Sequence, residues 1–165
     1  MSQLQCTING RMNTLPVYIL IGAPGCGKST HAEKLVKDNP NLVRVCPDDF
    51  RALLGTDSGD QSVSWPAFKA SYEAMETALS EGKGVVIDAT NMYRKARKEW
   101  IKIARKYNTT INALVFMPSK EVLLERNKLR GEAGGRNVPE SVIDDMLTRY
   151  QCPTNDEIDN LEFIS

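Results

Sequence analysis

The sequence predicts an α/β fold, a parallel sheet of four or five strands flanked by helices. Short apolar runs rich in β-branched residues recur along the chain, stretches with apolar residues at helical spacing separate them, and the first run breaks into glycines that open a helix. The 165 residues, 41% of them hydrophobic, suffice for one core, so a single domain is expected over residues 16–165.

Residues 1–15 are polar and patternless and are expected to form a flexible N-terminal arm. VYILI (17–21) is continuously apolar, which suits a strand buried on both faces. After the glycines, Ala32, Leu35 and Val36 lie at helical spacing. LVRVC (42–46) reads as a strand, FRALL (50–54) as a short helix, and PAFKASYEAMETALSEG (66–82) as a long helix ended by Gly82. GVVIDAT (84–90) is a second buried strand. In RKARKEWIKIARKY (94–107), Ala96, Trp100, Ile103 and Tyr107 form an apolar stripe, and Arg94, Lys95, Arg97, Lys98, Lys102, Arg105 and Lys106 take the remaining, solvated face. INALVFM (111–117) is a strand and 119–129 a helix. RGEAGGRNVP (130–139) is basic and glycine-rich, the composition of a mobile lid, and it precedes the helical ESVIDDMLTRY. IDNLEFIS adds an edge strand.

Charge and cysteines exclude several classes. Lys and Arg total 21 against 21 Asp and Glu, so no global field draws the chain onto nucleic acid and any such grip is local. Cys6, Cys26, Cys46 and Cys152 lack metal-type pairing, and neither a signal peptide nor a membrane span is evident. Free thiols and a cytoplasmic location are expected.

The chemistry concentrates in five places. ILIGAPGCGKST (19–30) matches G-x-x-x-x-G-K-[ST] through Gly22, Gly27, Lys28 and Ser29. In such a P-loop the backbone N–H groups of Gly22, Ala23, Pro24, Gly25, Cys26, Gly27 and the helix start to Thr30 surround phosphate oxygens, proline excepted as a donor. Lys28 neutralises β/γ charge, and the Ser29 hydroxyl is offered to Mg²⁺. The expected ligand is ATP or another nucleoside triphosphate.

Asp88 ends the VVID strand where parallel sheets place ligands, and it can hold Mg²⁺ directly or through water. Thr90 and Asn91 either orient phosphate or start the next helix. CPDDFRALL supplies two carboxylates and Arg51. If the helix starts at Phe50, Asp48 or Asp49 is its N-cap, leaving the other as the base that takes a hydroxyl proton. Arg51 suits bidentate phosphate contact. Arg126, Arg130 and Arg136 bracket the lid, and arginines there can close over donor phosphates, Arg130 foremost. Trp65, Phe68 and Tyr72 read as core or groove wall, with base stacking as the other use. His31 has no evident partner.

Taken together, GAPGCGKST, DDFR, DATN followed by RKARKEW, and LLERNKLRG followed by VPESVI resemble the kinase domain of phage-type polynucleotide 5′-hydroxyl kinases, in order and from about residue 16 to 151. The resemblance implies a P-loop kinase with an arginine-bearing lid that moves the γ-phosphate of ATP onto the 5′-hydroxyl of RNA or DNA. It implies Asp48 as general base, Arg51 on the acceptor's 3′-phosphate, Arg130 on the donor phosphates and Val138 against the terminal base, with Thr90 on the acceptor side. It further implies 5′-hydroxyl ends as substrate, a ligase and a separate 3′-phosphatase acting in the same repair, and host cytoplasm if the chain is phage-encoded. The chain departs from the family in lacking a D-x-D-G-T phosphatase motif, in the spacing of D-A-T-N, and in carrying Pro47 where an arginine stacks on the terminal base. Two rivals remain: a zeta-toxin-like or metabolite kinase, and a nucleotide-binding switch or scaffold with no acceptor.

Overall fold

The computed structural model describes residues 15–165. The expected arm falls outside the described residues up to position 14, and at Leu15 the carbonyl already accepts a hydrogen bond from Thr109 Oγ1 at 2.6 Å. Five strands, β1 (Val17–Ile21), β2 (Leu42–Val45), β3 (Gly84–Ile87), β4 (Ile111–Phe116) and β5 (Asn160–Ile164), form one sheet in the order β2-β3-β1-β4-β5. Every neighbouring pair is parallel. Six helices connect them: α1 (Lys28–Asp38), α2 (Pro47–Leu54), α3 (Ser64–Ser80), α4 (Arg94–Lys106), α5 (Lys120–Glu132) and α6 (Glu140–Thr148).

The buried-strand reading of VYILI and GVVI holds because both lie inside the sheet with helices over both faces. Val17, Ile19, Leu20 and Ile21, and Val85, Val86 and Ile87, are fully buried. β5 lies at the edge with Leu161 and Phe163 exposed, as the tail's pattern implied. The chain leaves β1 toward β2 and β3 on one side, then crosses to β4 and β5 on the other. β1 is therefore the topological switch point, and the crevice beyond its C-terminal end is where such sheets bind ligands.

The basic helix departs from expectation. Arg97, assigned above to the solvated face, is fully buried, and its guanidinium meets the buried Glu157 at 3.1 and 3.2 Å. Arg94 pairs with Asp156 and Arg105 with Asp159, so the acidic stretch before β5 neutralises one side of α4. Sixty residues separate Arg97 from its partner, beyond what periodicity can register. Burial works to raise the Glu157 carboxyl, but hydrogen bonds from Arg97 and Thr154 outweigh it and hold the group below the usual carboxylate range.

Glu157→Ala would leave Arg97 buried and unpaired, and a loss of about 3–5 kcal/mol is expected in urea denaturation. A folded-state value below the unfolded one means this contribution is present at neutral pH and fades as the pH falls through the acid range. A variant that melts like wild type at neutral pH contradicts this role.

The aromatic trio divides. Tyr72 meets Trp100 edge-on at 4.4 Å and Phe68 lies against both, so these two are core and groove wall. Trp65, in the first turn of α3, is 71% exposed and belongs to neither. Among the described residues no helix is long and apolar enough to cross a membrane, and Cys26, Cys46 and Cys152 are free.

Candidate active site

The loop between β1 and α1 turns where glycine is required. A Cβ on Gly22 would lie 2.5 Å from Cys26 Sγ and 2.8 Å from the Phe116 carbonyl oxygen, and Gly27 has φ +100° at the N-cap of α1. The segment from Pro24 to Thr30 lines a cavity of about 1290 Å³, while Gly22 and Ala23 are buried behind it. Lys28 is buried, and its ammonium donates to the carbonyls of Gly22 at 2.8 Å and Ala23 at 3.2 Å and reaches Cys26 Sγ at 3.4 Å. The loop thus holds its own cation in place over the helix N-terminus, a site prepared for anionic oxygen. Ser29, one residue on, is exposed to the same cavity. His31, given no role above, meets Phe116 edge-on at 5.3 Å and lines this end too.

Beyond β3 the chain turns sharply. Strand geometry stops at Ile87 rather than Thr90, and three residues after Asp88 the chain turns at Asn91 with φ +49°. Gly22 N–H donates to the Thr90 carbonyl at 3.0 Å, and Asn91 Nδ2 to the Leu20 carbonyl at 2.8 Å, so the D-A-T-N turn is tied to the P-loop. Arg97 Nη1 holds the Asn91 carbonyl at 2.9 Å from behind. Asp88 is buried at the cavity wall, and its Oδ2 takes two hydrogen bonds from Arg44, at 2.9 and 2.7 Å. No local pattern marks Arg44, which reads as an ordinary strand residue. It also pairs with Asp49 at 2.7 Å.

Helix α2 corrects the capping expectation. It starts at Pro47, not Phe50, with Cys46 as N-cap and no side-chain cap bond. Proline at the first helical position is pre-set for the helix and lacks the N–H that would otherwise go unsatisfied. Asp48 and Asp49 are therefore both in the first turn and neither is the cap. They diverge: Asp49 faces Arg44, while Asp48 lines the cavity and accepts from Arg51 Nη1. Arg51 is 9% exposed, lies 5.5 Å over the Phe68 ring and donates from Nε to Ser64 Oγ at 3.1 Å. Burial, and then Asp88, push the Cys46 thiol up to about 11, so it stays protonated and is no nucleophile here.

The segment expected as a lid is largely exposed from Glu132 to Asn137 and is anchored at Val138, which is buried. Residues 130–132 complete α5, and buried Asn127 clasps the backbone at Val138: its Oδ1 accepts from Val138 N–H at 3.0 Å and its Nδ2 donates to the Val138 carbonyl at 2.7 Å. One buried amide satisfying two backbone groups fixes the C-terminal end of this segment. Val138 lines the cavity but is only 3% exposed. The three arginines fan out. Arg126 reaches the Gly25 carbonyl at 3.4 Å, Arg130 Nε donates to the Arg136 carbonyl at 2.8 Å, and Arg136 Nη1 stands 3.9 Å from Asp48 Oδ1. Burial, then the neighbouring Arg136 charge, lower the Arg130 guanidinium's pKa, against a smaller opposing pull from Asp48.

One cavity therefore joins the P-loop to a carboxylate–arginine pair, on the scaffold of a P-loop kinase domain. The chain belongs to the AAA_33 family, described as an AAA domain, whose profile matches residues 17–153. It is 29% identical over 146 residues to L-seryl-tRNA(Sec) kinase of Methanococcus maripaludis, across 83% of this chain and 53% of that protein. It is 32% identical over 142 residues to the bifunctional polynucleotide phosphatase/kinase of Schizosaccharomyces pombe, across 86% of this chain and 31% of that one. A chain in the solved structure of the Pnkp1/Rnl/Hen1 RNA repair complex superposes with a TM-score of 0.76 at 30% identity, covering 86% of this chain and 45% of that one. The chain thus spans about half or less of the length of these relatives.

Proposed function

We propose that this chain is an ATP-dependent polynucleotide 5′-hydroxyl kinase acting on RNA or DNA ends. The observation that carries the reading is the Asp48–Arg51 pair in the same cavity as the P-loop, a base and an anion contact where a kinase needs its acceptor. Its likeness to a polynucleotide phosphatase/kinase and to a chain of an RNA repair complex supports the same acceptor class.

In the proposed reaction the donor's phosphates lie along the Pro24–Thr30 backbone with Lys28 turned from the loop carbonyls onto the β/γ oxygens. The acceptor's 5′-hydroxyl gives its proton to Asp48 as the bond from O5′ to Pγ forms and the bond from Pγ to the β–γ bridging oxygen breaks, releasing ADP. Arg130 meets the charge that spreads over the equatorial oxygens. Ser29 Oγ and the Asp88 carboxylate are hard oxygen donors lining the same cavity, a set that fits Mg²⁺, which takes few protein ligands and otherwise water and phosphate. When bound, Mg²⁺ would neutralise charge on the β and γ oxygens. Thr90 and Val138 would border the acceptor nucleotide. The product, a 5′-phosphate end, is the substrate that a ligase requires, and a 3′-phosphatase would prepare the opposing end.

The test compares a 5′-hydroxyl oligonucleotide, a nucleoside, a nucleoside 3′-monophosphate and a sugar nucleotide as acceptors at fixed ATP and Mg²⁺. The expected order places the oligonucleotide and the 3′-monophosphate well above the nucleoside, because one charge-assisted contact from Arg51 is worth about 1.5–3 kcal/mol, or ten- to a hundredfold. Arg51→Ala should lower the 3′-monophosphate toward the nucleoside. Transfer to the sugar nucleotide alone would replace this reading with a small-molecule kinase, and hydrolysis without any acceptor would replace it with a switch.

A further inference from the structure

The charges around Asp48 do not balance. Asp49 and Asp88 share Arg44, which leaves Asp48 as the carboxylate facing Arg51, Arg130 and Arg136 at the cavity wall. Arg51 and Arg136 converge on the same atom, Oδ1, one from α2 and the other from the segment after α5. Arg136 also runs alongside Gly59, where an added Cβ would lie 3.6 Å from its Cδ and 3.8 Å from its Nε. It therefore bridges the α5–α6 connection to the loop that precedes α3. Arg126 lies at the other end, on the P-loop. By sequence Arg136 belongs with the donor-side arginines; by position it stands on the acceptor side.

We propose that Arg136 and Arg51 together bind the acceptor's 3′-phosphate, and that this phosphate releases Asp48 to act as base by drawing both guanidiniums off Oδ1. The proposal rests on the polynucleotide reading above and adds to it a second arginine and a reason for specificity. A phosphate has oxygens enough for two planar forks at once, which a single carboxylate oxygen lacks. An acceptor without that phosphate leaves Oδ1 of Asp48 held by Arg51, with Arg136 3.9 Å away. The phosphate thus acts on the chemical step as well as on binding. The proton still passes from O5′ to Asp48, and no further reactant enters.

The experiment uses the full chain, wild type, Arg136→Gln and Arg136→Lys, with a nucleoside and a nucleoside 3′-monophosphate as acceptors. In wild type the 3′-phosphate should raise kcat as well as lower KM. In Arg136→Gln the ratio of kcat/KM values, 3′-monophosphate over nucleoside, should fall about ten- to a hundredfold, with lysine restoring part of it. Direct titration with a nucleoside 3′,5′-bisphosphate should show the same loss of affinity, while the ATP dissociation constant holds.

An unchanged ratio in Arg136→Gln, or a loss confined to ATP affinity, overturns the role of Arg136 while leaving the polynucleotide reading intact. A 3′-phosphate that lowers KM in wild type with no effect on kcat overturns the release of Asp48. A wild-type protein that transfers phosphate to neither acceptor nor to a 5′-hydroxyl oligonucleotide removes the functional reading itself.

Discussion

Lys28→Ala is expected to reduce phosphoryl transfer by at least a hundredfold. Loss of one preorganised donor to developing charge costs about 10²–10³ in kcat, and here the donor is also the P-loop's cation. The structure adds a second consequence. The ammonium bridges the Gly22 and Ala23 carbonyls from a nearly enclosed position, so its removal takes a donor from the Gly22 carbonyl and leaves Ala23 only the Cys26 N–H, at a cost of about 1–3 kcal/mol of stability. Loss of activity must therefore be read beside a thermal melt. A variant that remains folded at the assay temperature, binds ATP weakly and transfers below a hundredth of the wild-type rate fits the role. Transfer within tenfold of wild type in a folded variant would remove Lys28, and with it the donor end of the cavity, from the proposed chemistry.

The features legible in the sequence were local. The P-loop was readable because its glycines, lysine and hydroxyls serve one function within a dozen residues, and its place between a buried strand and a helix is set by the same stretch. The parallel sheet was implied by alternation alone. The order of its strands was not, since nothing local states that β1 lies between β3 and β4. Long-range pairs were equally invisible. Arg44 reads as a strand residue until Asp88, 44 residues on, is seen to take both its Nε and its Nη2. By periodicity Arg97 is one more surface charge, whereas in the fold Glu157 lies against it. Asn127 sits among charged helix residues with no pattern to mark it, yet it fixes the backbone of Val138. Asp48 and Asp49 were ambiguous for a different reason. Adjacent residues on a helix point about 100° apart, so their separate fates depend on where the helix begins, which Pro47 decides.

That divergence makes the second large effect a clean comparison. Asp48→Asn keeps size, planarity and an oxygen for Arg51 while removing the basic carboxylate, and it should lower the rate of a single turnover by about 10²–10⁴. Asp49→Asn removes a carboxylate that is more than half exposed and paired with Arg44, and it should stay within a few-fold of wild type. Neither side chain caps α2, so neither change deletes a cap. Each removes one negative charge from the first turn, a shared cost of about 0.3–1 kcal/mol. Asp48→Asn also takes the counter-charge from the buried Arg51, whereas Arg44 keeps Asp88 when Asp49 is changed, so the Asp48→Asn melt should fall further. An Asp48→Asn protein still folded at the assay temperature but without turnover, beside an active Asp49→Asn, is what separates a base from a helix-end charge. ATP binding, measured by titration, should persist in both, because the P-loop contributes the donor contacts from the other end of the cavity. If Asp49→Asn abolishes turnover and Asp48→Asn does not, the proton acceptor is Asp49, and Asp48 serves only to hold Arg51 and Arg136. If both remain active, the hydroxyl's proton leaves by a route that involves neither carboxylate, and the acceptor site lies elsewhere in the cavity.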